Sequence, residues 1–261
     1  MYLARDFGGL IPEIKSYSRD LIPSIKINPK ERIALMKKGE AIQINDYMLE
    51  EETSDRLVFG LAWDITNGRN IDLDASVICL DAHLSVVDIV SYQQLRSMDG
   101  SIIHGGDERE GDEKGDDEKI FINLDAVRPE VTYMGFVINS YSGEELDDIS
   151  KASCHLFNEN NKRDLAYYKL SKDKALDKHT ALVMACMYRD QHTNMWNLRI
   201  IGEAAHGKKA HELADELQNF LRYNPPPQTN VVPDPKFSLN AMPAPVPIVD
   251  AIPIPVPPQK Y

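Results

Sequence analysis

The chain has 261 residues, of which 43% are hydrophobic and 27% charged, and its formal net charge is −12. It is long enough for one large domain or two small ones, and apolar enough to build a buried core. The acidic balance argues against a nucleic-acid partner, because phosphates are neutralised by a basic surface. Cys79, Cys154 and Cys186 are widely spaced and odd in number, which predicts buried thiols in a reducing compartment.

Targeting signals are not evident in the sequence. No apolar run approaches the length of a membrane span, and the first residues lack the compact apolar core of a secretory signal. We therefore expect a cytoplasmic protein without an integral membrane segment.

Residues 1–30 contain three prolines and no sustained hydrophobic period, so we interpret them as an N-terminal arm. A folded domain is expected from residue 31 to residue 223. Strand and helix do not alternate regularly, which argues against a parallel α/β sheet. Short apolar or alternating runs between turn signals instead predict a mainly all-β fold, an antiparallel β-sandwich with one or two peripheral helices. The predicted strands are residues 57–63, 71–80, 86–92, 102–104, 119–124, 133–140, 153–157, 166–170, 181–188 and 198–201.

Two carboxylates stand out in the second of these strands. Side chains of a strand alternate between its faces, so Asp72 and Asp74 share one face, about 7 Å apart along the strand. Both could reach an ion held by a neighbouring acidic loop. The alternative is that they point to solvent.

The segment from Asp107 to Glu118 is such a loop. It holds eight acidic residues against two basic ones, a net charge of −6, together with two glycines. A hard cation such as Ca²⁺ would remove the repulsion, since it takes oxygen ligands from carboxylates, carbonyls and water. An EF-hand does not fit, because its sixth position requires glycine and is Asp112 here, and because the flanks are strands. The alternative is a solvated acidic loop without a ligand.

The last part of the chain changes character twice. Residues 210–223 carry one apolar stripe at helical spacing and predict a helix, which Pro225 ends. Residues 224–261 hold twelve of the sixteen prolines, which predicts a disordered tail of polyproline-II type. Within the tail, Pro255, Pro258 and Lys260 match the P-x-x-P-x-K form that SH3-type and WW-type domains accept, and are candidate partner-binding residues. A passive tether is the alternative.

Signatures of catalysis are missing from the sequence. It contains no P-loop, dinucleotide fingerprint, G-x-S-x-G elbow or H-E-x-x-H spacing. His104 directly precedes the acidic loop and is interpreted as orienting it. We therefore predict a protein that is not an enzyme.

Residues 106–118 resemble the acidic motif of the TerD family of tellurium-resistance and stress proteins, G-D-N-R-T-G-E-G-D-G-D-D-E. Matching segments at residues 38–39, 60–64, 72–76, 100–104 and 196–202 extend the resemblance over roughly residues 36–222. This sequence departs from the family pattern at three positions: it has Glu110, Glu113 and Lys114 where the family usually has Thr, Gly and Asp. Because Lys114 replaces a carboxylate, we predict that one ion position is weakened.

The resemblance implies a calcium-binding β-sandwich that holds one or two Ca²⁺ ions. The candidate ligands are Asp72, Asp74, Asp107, Glu108, Asp112, Asp116, Asp117 and Glu118.

Three functional hypotheses follow. The first is a calcium-binding stress-response protein acting as a non-enzymatic Ca²⁺-dependent binding or scaffold module. The second is an adaptor that recruits SH3-type or WW-type partners through the proline-rich tail. The third is a Ca²⁺-dependent membrane-surface module, ranked last because no aromatic or basic loop accompanies the acids in the sequence.

Overall fold

The computed structural model describes residues 41–44, 56–109, 115–160, 162 and 164–228. Within these ranges, eleven strands form two antiparallel sheets, which confirms the predicted β-sandwich. One sheet has the order β1-β11-β10-β7-β3-β4 and the other β5-β6-β2-β8-β9. The strands are β1 (Ala41–Gln43), β2 (Arg56–Ala62), β3 (Leu73–Leu80), β4 (Val86–Val90), β5 (Ile102–His104), β6 (Glu118–Asn123), β7 (Tyr133–Ser140), β8 (Ser153–Asn158), β9 (Asp164–Lys169), β10 (Ala181–Arg189) and β11 (Trp196–Ala205).

The main core lies between the two sheets. Strand β3 shows why: its alternate side chains Leu73, Ala75 and Val77 point into this core, as the two-residue period of a strand requires. Phe59 of β2 meets Phe136 of β7 edge to face, with ring centroids 5.1 Å apart. This aromatic contact joins the centre of one sheet to the centre of the other.

A second, smaller core covers the outer face of the six-stranded sheet. The predicted helix is confirmed there: residues Ala210–Leu213 form a 3₁₀ turn and α1 (Ala214–Tyr223) continues it. Leu217 and Leu221 of its apolar stripe are buried against the sheet. A Cβ atom added to Gly135 of β7 would collide with the Leu217 side chain. The helix therefore docks closely because β7 has a glycine at the crossing point.

Each of the ten predicted strands has a counterpart in the structure. The largest difference is β11, which runs for ten residues where four were predicted, because it pairs with β10 over most of its length. Strand β1 was not predicted, since three residues are too few for a recognisable period.

Several predictions lie outside the described residues. They concern the arm at residues 1–30, most of the proline-rich tail, and with it the candidate partner-binding residues Pro255, Pro258 and Lys260. Among the described residues, no helix is long and apolar enough to cross a membrane.

Substituting Gly135→Ala should destabilise the fold by about 1–3 kcal/mol, because the added methyl group overpacks the site that Leu217 fills. Urea unfolding measures the change. In a Leu217→Ala background, the same substitution should cost much less, since the space has been vacated. Equal costs in the two backgrounds would show that the helix does not set the requirement for glycine.

Candidate metal centre

Three acidic side chains converge at one end of the sandwich. One carboxylate oxygen from each of Asp72, Asp74 and Asp107 lies within 4.8 Å of the others. Asp74 lies in β3 and Asp72 just before it, with their carboxylates close together, and the loop after β5 brings Asp107 to them. Asp74 is only 2% exposed, so it does not point to solvent. The strand and the acidic loop therefore meet as the sequence indicated.

Electrostatics make this cluster unfavourable without a counter-charge. Burial, followed by the nearby charges of Glu118 and Asp72, raises the pKa of Asp74 to about 8. Burial and the charge of Asp107 also raise the pKa of Asp72. The Oδ1 atom of Asp72 is buried and has no hydrogen-bond partner among the residues that the structure describes. An all-oxygen set of crowded carboxylates with an unpartnered buried oxygen fits a hard divalent cation.

Asn139 holds Asp74 in place. The two residues are opposite each other on β7 and β3, and Asn139 Nδ2 donates to Asp74 Oδ2 at 2.7 Å. The same amide nitrogen donates to the Lys208 carbonyl at 2.8 Å, in the turn that precedes the helix. Sequence reasoning missed Asn139, because only the strand register places it beside Asp74.

Glu118 and His104 connect the two sheets beneath the cluster. Strand β4 pairs with β3 only from Val77 onward, so side chains satisfy the Ala75 backbone on that edge. Glu118, 1% exposed, accepts from Ala75 N at 2.7 Å. His104 Nδ1 lies 3.2 Å from Gly106 N and Nε2 lies 3.2 Å from Ala75 O. Since Gly106 N–H must donate, Nε2 carries the proton and donates to Ala75, so His104 orients the start of the acidic loop.

Asp116 and Asp117, at the C-terminal end of the acidic loop, contact residues outside the carboxylate cluster. Asp117 Oδ2 accepts from Trp63 N at 2.8 Å. Asp116 Oδ1 lies 2.9 Å from His155 Nε2, and His155 Nδ1 lies 2.6 Å from Asp164 Oδ1. These contacts place Asp116 against the outer face of the five-stranded sheet, outside the converging group of Asp72, Asp74 and Asp107.

Gly60 leaves room for the contact between Asp116 and His155. A Cβ atom there would lie 2.7 Å from both the Asp116 carboxyl group and His155 Nε2. Of the remaining predicted ligands, Glu108 is half-buried and its backbone N donates to Glu118 Oε1 at 3.4 Å. Asp112 lies outside the described residues, as does Lys114, which was predicted to weaken one ion position.

Two tyrosines beside the cluster were also missed by sequence reasoning. Tyr141 N donates to the Asp72 carbonyl at 2.9 Å, and its side chain is 44% exposed. Its ring meets that of Tyr92 at right angles, with centroids 6.0 Å apart. An aromatic pair therefore flanks the carboxylates, although neither residue is close to the acidic loop in sequence.

Comparison with known proteins agrees with this architecture. The TerD domain family matches residues 33–217. Tellurium resistance protein TerD of Alcaligenes sp is 36% identical over 155 residues, which are 56% of this chain and 79% of that protein. General stress protein 16U of Bacillus subtilis (strain 168) is 33% identical over 170 residues, 61% of this chain and 86% of that protein.

A solved structure shares the fold. It is a homologue of telluride resistance protein (TerD) from Streptomyces coelicolor A3(2), with a TM-score of 0.55 and 20% sequence identity, covering 62% of this chain and 96% of that one. Fold and site together define a β-sandwich protein with an acidic cluster at one end. The chain belongs to the TerD family.

Substituting His155→Gln should lower stability in a pH-dependent way. Burial opposes protonation of His155, but hydrogen bonds with Asp116 and Asp164 and their charges outweigh it and raise its pKa to about 9. The ordinary pKa is about 6.5. The stabilisation is therefore fully present below about pH 6.5 and is lost as the pH rises through about 9.

Urea unfolding at pH 6 should give a loss of about 1–2 kcal/mol for His155→Gln, allowing for the partial exposure of the cluster. The loss should shrink at pH 9.5. The exposed His83 supplies the control His83→Gln. A loss that is equal at the two pH values would contradict an ionic attachment.

Proposed function

We propose that this protein binds Ca²⁺ through Asp72, Asp74 and Asp107 and acts as a non-enzymatic, Ca²⁺-dependent binding module. The proposal rests on one observation, the convergence of three carboxylate oxygens within 4.8 Å. The names of its relatives associate the family with stress response and tellurium resistance. We propose that this chain also acts in stress response or tellurium resistance.

The chemistry of the donors supports calcium. The three side chains offer only oxygen, which hard cations prefer over nitrogen or sulfur ligands. Ca²⁺ takes six to eight oxygens in flexible geometry, so water or backbone carbonyls would supply the rest. When bound, the ion supplies positive charge to a group of carboxylates that repel one another.

The position of the ligands indicates what binding would do. Asp74 belongs to β3 of the six-stranded sheet and Asp72 immediately precedes that strand, whereas Asp107 follows β5 of the other sheet. An ion held by all three would fasten the acidic loop to both sheets. Calcium would therefore order one end of the sandwich and leave the core unchanged.

The ligand Asp107 and the attached residue Asp116 should respond differently to substitution. At a free Ca²⁺ concentration about a hundred times Kd, the wild-type fold gains about 2.7 kcal/mol, a rise in Tm of about 5–10 °C. Asp107→Asn should remove most of that rise. Asp116→Asn should lower Tm to a similar extent with chelator and with Ca²⁺, because it weakens the bond to His155.

Thermal unfolding in chelator and in millimolar Ca²⁺ measures both effects. Asp125→Asn, at an exposed position outside the cluster, makes the same charge change and is the control. A wild-type Tm that does not move with Ca²⁺ would refute the proposed function.

A second function concerns the start of the proline-rich tail. Tyr188 Oη donates to the Pro227 carbonyl at 2.9 Å, and Gln191 N donates to Gln228 Oε1 at 2.8 Å. These contacts hold residues 227–228 near the end of β10, whereas Ala181 at its beginning pairs with Asn139 beside the acidic cluster. The separation along β10 is about 24 Å. We propose that the tail recruits SH3-type or WW-type partners.

The triple substitution Pro255→Ala, Pro258→Ala and Lys260→Ala in the full chain tests the recruitment. It should remove the partners captured by the wild-type chain, because outer prolines and a basic residue are the groups such grooves recognise. The matched control is Pro243→Ala with Pro245→Ala, which changes the tail but leaves the motif intact. If the triple variant captures the same partners as the wild type, the tail is a tether.

A further inference from the structure

Arg109 lies beside the candidate metal centre and already supplies it with a positive charge. Its Nε and Nη2 atoms donate to the same oxygen, Asp107 Oδ2, at 2.9 and 2.6 Å. The Arg109 side chain is 72% exposed, whereas that of Asp107 is 24% exposed. Burial raises the pKa of Asp72, and the positive charge of Arg109 acts in the opposite direction.

This pairing conflicts with a divalent cation. Two N–H groups occupy one of the two oxygens that Asp107 could offer to a metal. A guanidinium so close to the cluster also repels an incoming cation, because both are attracted to the same carboxylates. The metal and Arg109 therefore compete for Asp107.

We infer that Arg109 is a built-in counter-cation of this site, which holds Asp107 when no metal is bound and is displaced from it by the metal. The inference rests on the proposed binding of Ca²⁺ and concerns what sets its affinity. Displacement leaves the guanidinium of Arg109 exposed at the edge of the site. Calcium binding and the Arg109–Asp107 pair are thermodynamically linked. Any change that breaks the pair therefore raises the affinity for Ca²⁺, and bound Ca²⁺ weakens the pair by the same factor.

A role in positioning alone predicts the opposite result. If Arg109 only held Asp107 ready for the metal, removing it would weaken binding, because the loop would have to be ordered anew. The sign of the change in Kd therefore distinguishes competition from positioning.

Calorimetric titration of the chelator-treated full chain with CaCl₂ measures that sign. Arg109→Gln should bind about three- to tenfold more tightly than the wild type, since a positive charge near the ion has been removed. Arg109→Lys keeps the charge and should bind nearly as the wild type does. Arg96→Gln, at an exposed arginine between β4 and β5, is the charge-matched control and should leave Kd unchanged.

The outcomes separate this inference from the proposed function. If the wild type binds Ca²⁺ and Arg109→Gln binds equally or more weakly, Arg109 is not a competitor, although the calcium site stands. If no variant binds Ca²⁺, the proposed function itself fails.

A metal-free measurement tests the pairing independently. In chelator, the effects of Arg109→Gln and Asp107→Asn on Tm should be non-additive, because each substitution removes the same ion pair. Additive effects would show that the pair makes no contribution in solution, and would overturn the inference.

Discussion

The bond between Glu118 and the Ala75 backbone is the contact on which the acidic end of the sandwich depends. It crosses from the first residue of β6 to β3, where β4 has stopped pairing, and His104 satisfies the carbonyl of the same residue. A buried N–H without a partner would cost about 1–3 kcal/mol. The two side chains thus join the sheets and fix both ends of the loop that carries Asp107.

The bonds of Glu118 and His104 to Ala75 bring negative charges close together, which costs stability. The pKa of Asp74 is raised to about 8, so the folded state holds a proton that the unfolded state releases above about pH 4. Stability contributed by that group therefore falls as the pH rises from about 4 through about 8. Such a cost is typical of a binding site, where the ligand supplies the compensating interaction.

The acidic cluster and residues 227–228 lie near opposite ends of β10. The carboxylate cluster and Asn139 occupy one end of β10, and the beginning of the proline-rich tail contacts residues at the other end. Helix α1 lies between these ends on the outer face of the six-stranded sheet.

The sequence by itself determined the fold class, the strand positions and the pairing of Asp72 with Asp74 on one face. These properties depend on hydrophobic period, which is local. The acidic loop was evident from its composition, and the resemblance to the TerD family added the expectation of a calcium-binding sandwich, which stays a prediction.

Only the tertiary structure decided which acidic residues of the loop join the carboxylate cluster and which contact other parts of the fold. Asp107 joins the cluster, whereas Asp116 contacts His155 and Asp117 contacts Trp63. Asn139 entered the site only through the register of β3 against β7. The acids of the loop are alike in sequence, and each acquires its role from the strand that it meets. Such meetings depend on packing between distant segments, which a local pattern does not encode.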